Sequence, residues 1–341
     1  MKQYLSINDV GDLDEAIIAC RKIKKNPHKW SDLGKNKTLG MLFFNPSLRT
    51  RISTLKAAQN LGLNVLPIDF KDGAWSLEFE QGVKMNDDKA EHIKEAAAVI
   101  GQYCDFIAIR AFAGLKDADE DKREPIFSAF SRFTQKPLIN LESARQHPLQ
   151  TLADILTIEE YKSVKKPKVV LSWAPHPHAL PHAVANSFVE GMRKCDYEFI
   201  ITHPPGYELD ETITAEIPIC YDQNQALRDA DFVYVKNWSS VKSYGQVLNQ
   251  DESWMLTNEK LKLTNQAKVL HCLPVRRNVV IADDVLDGAQ SIVIPQAENR
   301  LYAIQYVLMR LLGANIDKSQ ISPKVIDHRH YDYLNSLLTG R

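Results

Sequence analysis

The chain has 341 residues, 42 Lys+Arg against 43 Asp+Glu for a formal net charge of -1, and a hydrophobic fraction of 44%. That length predicts about two domains, each able to bury its own core. The balanced charge argues against a wholesale nucleic-acid or polyanion binder but leaves room for a local basic pocket. No apolar run approaches the roughly 20 residues of a membrane span, and the N-terminal MKQYLSINDVGDLDEA has no apolar signal core. Cys20, Cys104, Cys195, Cys220 and Cys272 are odd in number and lack CxxC spacing, so neither a disulfide framework nor a zinc knuckle is expected. The expectation is a soluble, cytoplasmic, two-domain protein.

In chain order, the pattern predicts a helix over Leu13–Lys24, a strand over Thr38–Phe44, a helix over Thr50–Leu61 and a strand over Asn64–Asp69. A helix follows over Ala90–Tyr103, then strands over Asp105–Arg110 and Pro137–Leu141 and a helix over Leu149–Tyr161. Beyond the basic stretch KSVKKP (Lys162–Pro167), strands are expected at Lys168–Trp173, Tyr197–Thr202, Asp231–Lys236, Lys268–Cys272 and Ser291–Pro295, with helices at Pro181–Met192 and Ala297–Leu312. Alternating strands and helices mark parallel sheets built from βαβ units. The near-continuous apolarity of KVVLSW and SIVIP suits strands buried on both faces.

Four segments carry chemistry. In FFNPSLRTR, an apolar strand ends at Phe44, Asn45-Pro46 turns the chain and a helix begins. Ser47, Leu48, Arg49 and Thr50 therefore stand where amides are unpaired and the helix dipole is positive, a phosphate cradle without glycines; an ordinary N-cap is the competing reading of this segment alone. In HPLQTLAD, His147 precedes a helix whose first residue is Pro148, and the dipole disfavours an imidazolium there, leaving a neutral ring able to donate to a carbonyl. A surface His-Pro turn is the alternative. HCLPVRRN places Cys272 at a strand end, with Arg276 and Arg277 following. A buried structural thiol is the commoner fate of such a cysteine. WAPHPHALPH interleaves His176, His178 and His182 with prolines, which favours a rigid loop over a metal site. Arg110, Glu142 and Lys236 close predicted strands, where parallel sheets assemble their sites, and Trp75 lies in a loop.

Taken together and in this order, these segments resemble the carbamoyltransferase (transcarbamylase) family over about Leu13–Leu312. Ser47-Leu48-Arg49-Thr50 looks like its S-x-R-T carbamoyl-phosphate motif, His147-Pro148-Leu149-Gln150 like H-P-x-Q, and His271-Cys272-Leu273-Pro274 like H-C-L-P. FFNPS, DGAW, WAPHP, KNW and HCLPVRRN resemble the acetylornithine/succinylornithine branch. KNWSSVKSYGQV stands where ornithine-specific members carry an S-M-G loop with an acidic partner for a free α-amine. The acetyl branch has a glutamate where this chain has Ala90 and a lysine where it has Val280; the succinyl branch shows proline at the position of Ala90, so Ala90 departs from both patterns. Wider similarity favours N-succinylornithine over N-acetylornithine.

The resemblance implies two doubly wound parallel-sheet α/β domains of the aspartate/ornithine carbamoyltransferase type. These would be a carbamoyl-phosphate-binding domain over 1–148 joined by the helix at about 297–318, an acylornithine-binding domain over 149–296, and an appendage at 319–341. It also implies a knot, with the chain around Lys236–Gln250 threading the loop Pro175–Pro181. The implied reaction is attack of the δ-amine of the acylornithine on carbamoyl phosphate in arginine biosynthesis. Ser47, Leu48, Arg49, Thr50, Trp75, Arg110, His147, Gln150 and Arg300 would bind carbamoyl phosphate. Glu142, His176, Lys236, Cys272, Leu273, Arg276 and Ala90 would line the acylornithine side, and Thr50, Arg110, His147 and Cys272 would be catalytic. No metal or organic cofactor, nucleic acid or membrane is implied. The implied assembly is a homotrimer whose Trp75 and Ala90 loop are shared across subunits. A carbamoyl-phosphate-sensing paralogue and a zinc hydrolase using the His-rich loop are the competing function classes.

Overall fold

A computed structural model describes residues 1–70 and 73–314. The chain forms two compact units, one of Met1–Leu152 with residues 300–314 and one of Ala153–Asn299.

The first unit opens with α1 (Leu13–Lys25) and β1 (Thr38–Phe43), followed by α2 (Arg49–Asn60) and β2 (Asn64–Asp69). A short parallel pair, β3 (Leu77–Glu78) and β4 (Glu91–His92), precedes α3 (Ile93–Tyr103). Then come β5 (Phe106–Ala111), α4 (Ala118–Arg123), α5 (Pro125–Phe133), β6 (Leu138–Ser143) and α6 (Pro148–Tyr161), whose turns from Ala153 onward belong to the second unit. Its sheet is parallel throughout, in the order β2-β1-β5-β6. Leu42, Ile107, Ile109 and Phe130 fill the core on one face. The turn from α2 into β2 needs Gly62, which has φ +76° and where a Cβ would lie 2.1 Å from the Ser31 carbonyl oxygen.

The second unit holds β7 (Lys168–Trp173), α7 (Ala183–Met192), β8 (Glu198–Thr202), α8 (Glu211–Thr214), β9 (Ile219–Cys220), α9 (Gln223–Leu227) and β10 (Phe232–Lys236). These are followed by α10 (Asn258–Leu261), β11 (Lys268–Leu270), α11 (Asp283–Leu286) and α12 (Val293–Leu311), whose later turns belong to the first unit. This sheet is also parallel, in the order β11-β10-β7-β8-β9, with Val170, Val233, Val235 and Val269 in its core. Beyond β10 the chain lies along the loop after β7: Asn237 Nδ2 donates to the Ala174 carbonyl (2.7 Å) and the Ser239 amide to that of Leu180 (3.0 Å).

Each sheet reverses its strand order once, between β1 and β5 in the first and between β7 and β10 in the second. Ligands of open parallel sheets bind beyond the carboxyl ends of the strands at such a reversal.

Three expectations are corrected. Ser291–Pro295 is not a strand: Ser291 makes one isolated bridge to Val269, and α12 starts at Val293. Proline is tolerated in a first helical turn, so Pro295 permits the helix that its β-branched neighbours disfavour. The strand at Lys268 ends at Leu270, putting Cys272 in the following loop. Residues 90–92 pair with the segment after Trp75, and the helix expected from Ala90 begins at Ile93. The appendage at 319–341 and the end of the helix expected to reach 318 lie outside the described residues. Among the described residues, no helix is long and apolar enough to cross a membrane.

Candidate active site

The first unit gathers its candidate residues around the β1/β5 reversal. After β1 the Asn45-Pro46 turn is tied to the neighbouring strand end, since Asn45 Oδ1 accepts from the Phe112 amide (2.9 Å). Helix α2 then begins at Arg49 behind Leu48, and no side chain caps it. The ordinary N-cap reading of this turn therefore fails, since Leu48 holds the N-cap position and makes no side-chain cap. Ser47 is half-buried, the Leu48 side chain is 68% exposed and Thr50 is buried. Thr50 Oγ1 receives a hydrogen bond from Arg300 Nη2 on α12 (2.5 Å). Arg51 turns away, paired with Asp69 (2.7 Å) and stacked over Phe43, which leaves Arg49 as the arginine of this turn at the helix start.

The strand ends supply the rest. The register of β5 on β6 shifts between Ile109 and Arg110, so that Arg110 comes opposite Glu142, and the two form an ion pair. His147 Nε2 lies 3.7 Å from the same carboxylate. His147 is buried, and its carbonyl accepts the amides of Gln150 (3.1 Å) and Thr151 (3.2 Å) at the start of α6. Burial first, then the Arg300 and Arg110 guanidiniums, hold this imidazole well below its usual range. The ring is thus neutral at pH 7, as the sequence argument required, but burial rather than the helix dipole is the main cause. Gln150, one turn along, is also buried. This part of the site can receive an anion at the start of α2 and offer Arg110, Thr50 and a neutral imidazole to a carbonyl oxygen. Glu142, expected on the acylornithine side, stands with Arg110 and His147.

The second unit brings together His176, Lys236 and Arg276. Lys236 closes β10 opposite Trp173, its ammonium buried and donating to the Asn237 carbonyl (2.7 Å). His176 Nε2 accepts from Arg276 Nε (3.0 Å), and its Nδ1 lies 2.8 Å from the His178 carbonyl oxygen. Burial, with Lys236 and Arg276 adding, lowers the His176 pKa. His182 turns to the Ser239 carbonyl instead (2.7 Å), and among the described residues no group of three or more His, Cys, Asp or Glu could hold a metal ion. The two adjacent arginines part company: Arg277 pairs with Asp283 (2.9 Å) and Asp287 (2.6 Å). Cys272 is half-buried, and Leu273 has φ +55° and precedes a cis peptide to Pro274. The loop is held from behind, since the His271 amide donates to Gln296 Oε1 (2.8 Å) and Gln296 Nε2 to the buried Asp154 carboxylate (2.6 Å).

Trp75 is 60% exposed, and its indole N–H donates to Glu91 (2.8 Å). The exposed Ala90 bonds back to Ser76 (3.2 Å), so the two predicted subunit-contact residues share one surface segment. Sequence reasoning missed Gln296, 142 residues from its partner Asp154, and no local pattern links the two.

The model of the carbamoyl-phosphate-binding domain of aspartate/ornithine carbamoyltransferases matches residues 2–160, and that of their Asp/Orn-binding domain matches residues 181–311. The chain is 49% identical to an N-succinylornithine carbamoyltransferase of Bacteroides thetaiotaomicron over 92% of its length and 99% of the relative's. It is 32% identical to an N-acetylornithine carbamoyltransferase of Xanthomonas campestris over 92% of its length and 98% of the relative's. The crystal structure of an acetylornithine transcarbamylase complexed with acetylcitrulline superposes with a TM-score of 0.86 at 32% identity, covering 92% of this chain and all of that one (100%). A glutamate-to-alanine variant of N-acetyl-L-ornithine transcarbamylase, complexed with carbamyl phosphate and N-succinyl-L-norvaline, also gives a TM-score of 0.86 at 32% identity and covers 91% and 100% of the two chains.

Proposed function

The chain belongs to the aspartate/ornithine carbamoyltransferase family, and on that premise we propose that it transfers the carbamoyl group of carbamoyl phosphate to the δ-amine of N-succinyl-L-ornithine. The products are N-succinyl-L-citrulline and phosphate. The observation that carries the acyl specificity is the 49% identity to an N-succinylornithine carbamoyltransferase, against 32% to the acetylornithine enzymes. Ala90 adds to it. The acetyl branch carries a glutamate at that position, which would repel a succinyl carboxylate, and a glutamate-to-alanine variant of an acetylornithine enzyme holds a succinylated amino acid.

In this reading Ser47, Arg49, Thr50 and the start of α2 hold the phosphate, with Arg300 behind Thr50. The δ-amine lone pair attacks the carbamoyl carbon. As the carbonyl π-electrons move onto oxygen, Arg110, Thr50 and neutral His147 donate to it, and Gln150 takes the carbamoyl NH2. The tetrahedral intermediate collapses by breaking the carbon–oxygen bond to phosphate, and the amine proton leaves on the phosphate. Donors preorganised for a developing oxyanion contribute about 2.7–4 kcal/mol each when removed singly. Lys236 and Arg276 take the acid groups of the acylornithine, with His176, Cys272 and Leu273 lining its side chain and Glu142 balancing Arg110. The assembly is a homotrimer in which Trp75 and Ala90 reach a neighbouring site. Supporting it are the exposure of Trp75 and an apolar face of Leu48, the N-cap of α2, with Ile52 and Leu55 on the helix at helical spacing, 68%, 58% and 36% exposed.

Comparing kcat/KM for N-succinyl-, N-acetyl- and free ornithine tests the reading. It expects the succinyl substrate to lead. A lead for acetylornithine overturns the acyl assignment, and no turnover with either supports a sensing paralogue instead.

A further inference from the structure

The stretch ITHPPGYELD contributes no residue to the site above, yet one of its side chains is wired to the loop that follows Lys236. Pro205-Gly206, with Gly206 at φ +92° and the Tyr207 amide bonded to the Pro204 carbonyl (3.3 Å), are the residues and bond of a type II turn. The turn delivers Tyr207 into the protein, where it is 2% exposed and packs on Trp173 with ring centroids 4.6 Å apart.

From there Tyr207 touches both ends of the same loop. Its carbonyl accepts from Trp238 Nε1 (2.7 Å), and the Trp238 carbonyl in turn accepts from Trp173 Nε1 (3.0 Å). Its hydroxyl accepts the consecutive backbone amides of Leu248 (2.9 Å) and Asn249 (2.8 Å). Between these anchors residues 239–249 form no helix or strand, and Val241, Val247 and Leu248 are exposed. A compact surface loop whose ends are held together is a frequent carrier of function. Two amides without a sheet or helix partner are satisfied here by one phenol oxygen, which fills both of its lone pairs.

We propose that Tyr207 is a positioning residue for the N-acylated substrate: it fixes both ends of the 238–249 loop and so sets the wall beside Lys236 that receives the acylornithine. The inference rests on the substrate reading above, since it needs Lys236 on the acylornithine side. Tyr207 itself touches no reacting atom. Its hydroxyl contributes through the loop, so its loss weakens acylornithine binding and leaves carbamoyl phosphate binding as it was.

The test is Tyr207→Phe in the full chain, which keeps the ring on Trp173 and the carbonyl for Trp238 and removes only the acceptor of the two amides. The expected result is a rise of about tenfold in KM for N-succinylornithine, as for the loss of one to two net hydrogen bonds. KM for carbamoyl phosphate stays within a factor of about two, and tryptic cleavage after the exposed Lys242 becomes faster. Unchanged KM for the acylornithine, equal rises in both KM values, or unchanged cleavage overturns the proposal. Leu248→Pro deletes one of the two donors with Tyr207 intact and should move the same readouts in the same direction, which guards against a Phe variant that folds poorly. If wild-type protein prefers N-acetylornithine, the acyl assignment fails while the same KM comparison with that substrate still tests Tyr207. If it turns over neither, cleavage after Lys242 alone decides whether the loop is pinned, and equal rates in wild type and variant overturn the pinning.

Discussion

Replacing Arg300 by methionine removes a buried guanidinium at small cost in volume and acts on two groups at once. Arg300 Nη2 donates to Thr50 Oγ1 at 2.5 Å, and its charge is one of the causes that depress the His147 pKa. A hydrogen bond from a charged donor contributes about 1.5–3 kcal/mol. If that bond holds Thr50 toward the transferred group, its loss lowers kcat/KM for carbamoyl phosphate by roughly 10- to 150-fold. The second effect has a defined sign. A cation disfavours the imidazolium, so removing it raises the His147 pKa toward the ordinary histidine range. In the proposed mechanism the neutral ring is the active form, so the acid limb of the pH–rate profile moves to higher pH. The move is partial, since burial is the largest cause and Arg110 remains. Colorimetric detection of the citrulline product at saturating acylornithine, from acidic to neutral pH, reads both effects. A variant with kcat/KM within threefold of wild type and an unmoved acid limb would refute the assignment of Arg300 to this site.

Ala90→Glu should lower kcat/KM for N-succinylornithine by at least about tenfold and leave N-acetylornithine turnover the less affected; equal losses on the two substrates would remove Ala90 from the acyl subsite. Gln296→Leu takes a donor from the buried Asp154 carboxylate and an acceptor from the His271 amide. It should cost about 2–3 kcal/mol and lower the melting midpoint by roughly 5 °C or more, a shift that calorimetry would detect; a wild-type midpoint would show that these bonds are replaced by water.

The long strands were legible because burial on both faces leaves a mark in single residues: KVVLSW runs as predicted from Lys168 to Trp173. SIVIP carries the same mark, but the amphipathic run from Val293 to Leu311 prevailed over five residues of β preference. The two-residue strands Leu77–Glu78 and Glu91–His92 and the short helix Ala118–Arg123 are too short to show a period. Within the site, motif order announced the turn at Ser47–Thr50 and the position of His147. The pairing of Arg110 with Glu142 was not legible, because it follows from a register shift between strands whose sequences lie 32 residues apart. The division of labour between Arg276 and Arg277 was equally hidden, since it depends on which of them reaches His176.

The discontinuity of the first unit bears on how the protein is made. Thr50 and Arg300 are 250 residues apart in sequence, and at about 5–20 residues per second a ribosome separates their emergence by roughly 10–50 s. Two more ties wait for the same stretch, from Asn60 to Gln305 and from Cys20 to Tyr302. The second unit, continuous from Ala153 to Asn299, has all its strands in hand before any of these can form. A nascent chain therefore carries the Ser47–Thr50 turn without the guanidinium that backs Thr50 until residue 300 has been made, and on the proposed reading any chain released before that point would hold its phosphate cradle incomplete.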